Sequence, residues 1–343
     1  MPYPRLPPSL AATRSQRRYR RYLAGIIMLV LCWFGAMAAQ AQTLRVGVLQ
    51  FGTVNWELEV VKTHRLLERH GVALEVVPLA SENALAVALQ GGRVDLIVSD
   101  WLWVARQRET GHAYQFAPYS LSVGAVMADP STGIDEVEDL RGHKLGIAGG
   151  PVDKTWILLR AYARKVAGLD LETAVEPTYA APPMINALML DGRLPAAVNF
   201  WHYNARLEAQ GLQPLVTVER MLEELGIDPV PPLLGWVFAE DWAEKNGEAL
   251  RHFLEATYQA KAILAADDTA WEPLRGLVKP ENEPMFAALK AGYRAGIPKR
   301  YGDAEIAAAQ RLFQVLASEG GGTLTGNVRR LTTDVFWDGF RLP

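Results

Sequence analysis

Short apolar runs alternate with amphipathic stretches along the first two thirds of the chain. Leu44–Leu49 (LRVGVL), Ala73–Leu79 (ALEVVPL) and Val94–Ser99 (VDLIVS) are strand-length and apolar, as buried strands require. Between them, Trp56–His70 places Leu58, Val61, Leu66 and Leu67 on one helical side, and Asn83–Leu89 ends at Gly91-Gly92. The scheme then recurs. Lys144–Ala148 reads as a strand, Gly149-Gly150-Pro151 as a turn, and a helix follows from about Asp153 to Val166. Val175–Tyr179 is a further strand, Pro182–Leu190 a helix and Ala196–Phe200 another strand. This alternation predicts an α/β fold with mostly parallel sheets covered by helices. From about Trp242 the period turns helical. Trp242–Leu264 carries Leu250, Phe253, Leu254, Tyr258 and Ile263, and Ala304–Leu316 carries Ile306, Leu312, Phe313 and Leu316. Both are expected to form a packed outer layer. Gly320-Gly321-Gly322 is expected to be a flexible turn: no strand leads into it and no Lys-Ser/Thr follows, so it is not a phosphate loop.

One part of the recurrence is visible residue by residue. Ala88-Leu89-Gln90-Gly91-Gly92-Arg93 precedes a strand and then Trp101; Ala187-Leu188-Met189-Leu190-Asp191-Gly192-Arg193 precedes a strand and then Trp201. The arginine-to-tryptophan spacing is eight in both. Helix–glycine–strand units resemble one another in many proteins, so the match is either a true repeat or a common local pattern. In both cases the tryptophans fall just past the carboxyl ends of strands, where open α/β sheets bind ligands.

The N-terminus changes the picture of location. Arg14, Arg17, Arg18, Arg20 and Arg21 form a basic stretch without acids, an apolar run follows from Leu23 to Phe34, and Ala39-Gln40-Ala41 resembles a cleavage site. The run of roughly 12 to 16 residues is short of the ~20 that span a bilayer. Residues 1–41 therefore read as a secretory signal peptide. Cys32, the sole cysteine, lies within it. The rest of the chain then has no thiol for nucleophilic, thiolate-metal or redox chemistry. Removing six arginines and no acid makes the remainder more acidic than the −3 of the whole, a poor match for nucleic acid or anionic membrane. A soluble exported protein without an anchor fits the periplasm. Half the residues are hydrophobic, and about 300 residues favour two lobes over one core.

The segments LRVGVLQFGTVNW, ALQGGRVDLIVSD, DLRGHKLGIAGG and NFWHYNARLEAQG, in this order and spacing, resemble the nitrate/sulfonate/taurine-type substrate-binding proteins of ABC importers, including binders of thiamine-pyrimidine precursors. The resemblance covers nearly all of the chain after residue 41. It implies a two-lobed type II periplasmic binding protein fold with two crossover strands, near Ser120–Ala128 and Leu233–Ala239, and a helical C-terminal layer returning to the first lobe. Lobe 1 would comprise 42–122 and 233–343, and lobe 2 would comprise 123–232. It further implies a small-molecule ligand, a membrane permease as partner, a monomer, no cofactor and no metal. The ligand contacts it implies are Gln50, Phe51, Thr53, Asn55 and Trp56 after the first strand, Asp100, Trp101 and Trp103 after the third, Gly149, Gly150 and Asp153 at the second-lobe turn, and Asn199, Trp201 and Tyr203. Other members often have Gly-Ser or Gly-Thr where this chain has Gly149-Gly150-Pro151, which removes a hydroxyl suited to an oxyanion. The Phe200–Asn204 segment most resembles the pyrimidine-precursor binders.

The chemistry of these residues points the same way. Trp56, Trp101, Trp103, Trp201 and Tyr203 could stack on a flat ring or hold a cation, or they could roof the core. The Gly149-Gly150 turn leads to a helix N-terminus that either binds an anion or is capped by Asp153. Asp100, Glu82 and Glu57 sit near loop ends and either accept hydrogen bonds from an amine or stay solvated. There is no G-x-S-x-G, H-E-x-x-H or phosphate-loop motif, and the histidines at 64, 70, 112, 143, 202 and 252 lack metal-ligand spacing. Binding without chemistry is the expectation; the alternatives are an enzyme on the same fold acting on a pyrimidine-like molecule, or a periplasmic ligand sensor.

Overall fold

The computed structural model describes residues 42–343. The expected signal peptide and Cys32 lie outside the described residues. From Thr43 onward the chain forms one compact unit.

In chain order the first elements are β1 (Gln42–Leu49), α1 (Val54–Thr63), β2 (Val72–Leu79), α2 (Glu82–Gln90), β3 (Leu96–Asp100), α3 (Trp101–Glu109) and β4 (Tyr114–Ser120). There follow β5 (Gly124–Ala128), β6 (Lys144–Ala148), α4 (Lys154–Ala167), β7 (Glu176–Ala180), α5 (Pro182–Leu190), β8 (Ala196–Phe200), α6 (Trp201–Glu208), β9 (Gln213–Thr217) and α7 (Val218–Glu224). The last are β10 (Leu234–Ala239), α8 (Glu240–Ala266), α9 (Glu283–Ala295) and α10 (Asp303–Thr325).

The strands form two five-stranded sheets, ordered β2-β1-β3-β10-β4 and β7-β6-β8-β5-β9. The two orders follow one plan. In each sheet a single strand runs antiparallel to both neighbours: β10 between β3 and β4, and β5 between β8 and β9. These two strands arrive directly from the other sheet, whereas β1 and β3, and β6 with β7 and β8, pair in parallel. A parallel neighbour needs a helical crossover, while a strand entering from the far sheet can lie antiparallel without one. The sheets are therefore mixed.

One apolar core reaches from Leu85, Ile97 and Trp101 beside the first sheet to Ile147, Trp156 and Leu159 beside the second, and takes in Leu312, Phe313 and Leu316 of α10. A second core lies beneath β1, α1, α8 and α9, and a smaller one forms around Met127, Ile185, Met189 and Leu207. Two expectations for the C-terminal layer are corrected. It does not return to the first sheet alone. Helix α9 lies on α6, where Arg206 donates to Met285 Sδ at 3.1 Å, and α10 lies on α4, where Arg164 meets Glu319 at 3.1 Å. The apolar stripe of α10 is buried in the core shared by both sheets. Gly320-Gly321-Gly322, expected as a flexible turn between elements, instead forms a kink within α10, which runs on to Thr325: Gly321 has a φ of 56°, in the left-handed region.

Candidate functional site

The chain segments that follow β1, β3, β6 and β8 meet at the seam between the two sheets. Trp56 occupies the first turn of α1, and Trp201 is the first residue of α6. Their rings meet edge-to-face, with centroids 6.0 Å apart. Trp56 is buried, and also touches Trp271 at 5.9 Å and Tyr293 at 6.2 Å. Trp201 is half-buried, and the absence of a side chain at Gly292 lets α9 approach it: a Cβ there would stand 2.9 Å from the indole.

A polar contact crosses the same seam. Asp100, which ends β3, caps α3 by accepting the Trp103 N–H at 2.7 Å through Oδ1. Its Oδ2 accepts from Lys154 Nζ of α4 at 2.8 Å. Burial pushes the Asp100 carboxyl up, but the Lys154 ammonium and the Trp103 N–H outweigh it and hold the group below its ordinary value. Asp153 caps α4, accepting the Trp156 N–H at 2.9 Å. The expected alternatives at this helix N-terminus thus resolve toward the cap. Gly149 and Gly150 take φ of 82° and 87°, which only glycine adopts freely, and Gly149 packs directly on the Asp153 carboxyl. Burial raises the Asp153 pKa to about 6, and Glu82, exposed at the start of α2, adds to the rise. The seam thus gathers three carboxylates around one lysine, already paired.

The remaining predicted residues fall into two groups. Gln50 and Phe51 lie exposed at the rim; Phe51 is 78% exposed, with the Lys279 ammonium 5.4 Å from its ring. Trp103 is half-buried against Tyr114, and Tyr203 is half-buried beside His202, with ring centroids 4.5 Å apart. Burial, aided by Arg206, draws the His202 pKa down to about 4, so the ring is neutral. Three others hold the frame. The Asn55 amide donates to the carbonyls of Leu49 and Gly52 at 2.9 and 2.8 Å. Asn199 is buried, donates to Pro182 O and Asn186 Oδ1, and accepts the Phe200 N–H. Trp101 is fully buried, and its indole N–H donates to Pro232 O at 3.1 Å.

Glu57 is corrected from a loop acid to a fully buried one. Lys261 of α8 donates to its Oε2, as does the Tyr293 hydroxyl at 2.9 Å. The Lys261 ammonium stands 4.2 Å from the Tyr119 ring centroid. Burial pushes the Glu57 carboxyl up and the Lys261 ammonium down. Thr53, Tyr119, Ser120, Lys261 and Tyr293 line a small cavity, and Trp201 closes it from the second sheet's side. Sequence reasoning missed Lys261, Tyr119, Tyr293 and Lys154. A signal for Lys261 exists: it continues the apolar stripe Leu250, Phe253, Leu254, Thr257, Lys261, Leu264, where an unpaired lysine would not be buried.

Among the described residues there is no group of three or more His, Cys, Asp or Glu suited to a metal, and no helix long and apolar enough to cross a membrane. Two sheets exchanging one strand each, with loops from both converging at the seam, define the two-lobed periplasmic binding protein fold. The chain belongs to the NMT1/THI5-like family, which it matches over residues 66–270. No curated protein sequence matches it. Its structure is similar to that of the periplasmic aliphatic sulphonate binding protein SsuA from Escherichia coli, at 21% identity and a TM-score of 0.67 over 86% of this chain and 99% of that one. The alkanesulfonate-binding protein SsuA from Xanthomonas axonopodis pv. citri, bound to MOPS, is similar at 19% identity and a TM-score of 0.65, over 88% and 99%. The periplasmic nitrate-binding protein NrtA from Synechocystis is similar at 12% identity and a TM-score of 0.55, over 78% and 72%.

Proposed function

We propose that this protein is the periplasmic solute-binding component of an ABC importer, a monomer that captures a small flat organic molecule between its lobes and delivers it to a membrane permease. The observation that carries this reading is the meeting of Trp56 and Trp201 across the seam. A ligand held there touches both lobes at once, so it stabilises the closed form by its differential affinity for it. The lobes are 42–122 with 233–343, and 123–232; the membership of the two sheets supports this division as far as Ala239, and the helices after it pack against both sides of the seam.

Trp201, Trp103, Tyr203 and Phe51 supply aromatic surface, with Trp56 packed behind Trp201; Asp100, Asp153 and Glu82 supply acceptors. Gln50, Thr53, Gly149 and Gly150 form the rim, while Asn55, Trp101 and Asn199 fix the backbone beneath it. Charge decides the ligand class. The helix N-terminus that would bind a sulfonate is capped by Asp153, and Lys154 is paired with Asp100. A cationic or N–H-rich aromatic compound matches the surplus of carboxylates better than a sulfonate or nitrate.

A thermal-shift screen of the protein against aminopyrimidines, aromatic amines, aliphatic sulfonates and inorganic anions tests this. A binder at 100 times its Kd adds about 2.7 kcal/mol of stability. The expected responders are aromatic amines or aminopyrimidines. A response confined to sulfonates or nitrate would overturn the proposed ligand class, and no response in any class would count against solute binding itself.

A further inference from the structure

Beneath the seam, the cavity lined by Thr53, Tyr119, Ser120, Lys261, Tyr293 and Trp201 has a composition that the capture of a flat ring does not require. We infer that it is a subsite for one uncharged oxygen of the ligand, a hydroxyl or carbonyl at the edge of the aromatic ring. This rests on the binding reading above and adds the ligand's second recognition group.

Size sets the first limit. The cavity's free volume of about 10 Å³ admits one water-sized group. A sulfonate, with four heavy atoms beyond the carbon it is attached to, does not fit.

Charge sets the second. Among the described residues Lys261 is the only cationic one lining the cavity, and Glu57, fully buried behind it, balances it. The pair is neutral in sum whichever partner holds the proton, so the pocket offers no counter-charge to an ammonium or an anion, and burying an unmatched charge is costly.

Hydrogen-bonding capacity sets the third. An ammonium has three donors; one of Lys261's serves Glu57, and the ammonium lies over the rings of Tyr119 and Tyr258 at 4.2 and 5.6 Å. The Tyr293 hydroxyl donates to Glu57 and keeps its lone pairs. Thr53 bonds Tyr119. The lining therefore still offers N–H and O–H donors together with hydroxyl acceptors. An oxygen that accepts, and in the case of an alcohol also donates, satisfies both. Trp201 comes from the other lobe, so the subsite is complete only when the lobes close.

The test uses four probes on one flat scaffold: 3-pyridinemethanol, 3-(aminomethyl)pyridine, pyridine-3-sulfonate and 3-methylpyridine. Binding is read by tryptophan fluorescence and by calorimetry at millimolar concentration. The alcohol should bind about tenfold more tightly than 3-methylpyridine, and Tyr119→Phe should abolish that advantage while leaving 3-methylpyridine unchanged. Thr53→Val, which removes another hydroxyl-bearing side chain from the lining, is the second variant should Tyr119→Phe fail to fold, and is expected to reduce the same advantage. Equal affinity for the alcohol and 3-methylpyridine, preference for the amine or the sulfonate, or an advantage that survives both variants would overturn the subsite while leaving ring capture intact. Absence of binding by all four probes would overturn ring capture and the subsite together.

Discussion

The two lobes carry the same turn a hundred residues apart and use it differently. Gly92 and Gly192 both have φ of 66°, and Arg93 and Arg193 donate to the Ala88 and Leu188 carbonyls at 2.8 and 2.9 Å. Each turn leads through a strand to a tryptophan that opens a helix. At β3–α3 the residue before it is Asp100, which caps the helix; at β8–α6 it is Phe200, which makes no side-chain cap. Trp101 is enclosed, with its N–H satisfied inside the protein, whereas Trp201 is half-buried and faces Trp56. A shared backbone motif therefore positions a side chain without fixing its use. What differs is what packs above it: α10 brings Phe313 to Trp101, while α9 offers Gly292 to Trp201.

The comparison is broken most severely by exchanging the roles of the tryptophans. Trp101→Ala opens a cavity in the shared core and is expected to cost about 3–5 kcal/mol, lowering the melting temperature by roughly 10 °C. A loss below about 1 kcal/mol in denaturant unfolding would place Trp101 outside the core. Asp100→Asn comes next. Asparagine still caps α3, but Lys154 loses its charge partner, so a destabilisation of about 2 kcal/mol is expected. Wild-type stability in that variant would mean that the ion pair across the seam contributes nothing.

The two aspartate caps give the finest contrast. Asp100 is held below its ordinary range by Lys154, and Asp153 is raised to about 6. Because the unfolded Asp153 ionises first, near pH 4, its contribution makes stability fall as pH rises from about 4 to 6. Asp100 acts oppositely: its stabilisation is present above about pH 4 and is lost as pH drops below. His202, drawn to about 4, also favours the fold as pH rises toward about 6.5. The wild-type profile is thus partly cancelled, and the informative quantity is the difference from Asp153→Asn. That variant is expected to gain about 1 kcal/mol relative to wild type between pH 4 and 7, discounted for partial solvent access. A pH-independent difference would contradict the raised pKa.

The α/β alternation was legible because strands buried on both faces read as apolar runs, and β6 and β8 match their expected limits of Lys144–Ala148 and Ala196–Phe200. Helix α1 ends at Thr63, short of the expected His70, because Arg65 takes a left-handed φ of 52°. The two antiparallel strands were not legible as such, since direction is set by where the chain comes from and not by local pattern. At the site, Trp56, Asp100, Asp153 and Trp201 were expected in the segments that follow strands, and the structure has all four at the seam. It did not separate Trp201 from Trp101, because their local sequences match and the difference lies in helices more than ninety residues downstream. The Glu57–Lys261 pair spans 204 residues and shows in the sequence only as two charges on apolar stripes.

The most direct test of capture at the seam is a calorimetric titration of wild type and Trp201→Ala with the compound that responds in the thermal-shift screen, with melting curves recorded on both proteins. Affinity is expected to fall at least tenfold, ~1.4 kcal/mol, with little change in melting temperature. Unchanged affinity in a folded Trp201→Ala protein would contradict capture at the seam where Trp56 and Trp201 meet.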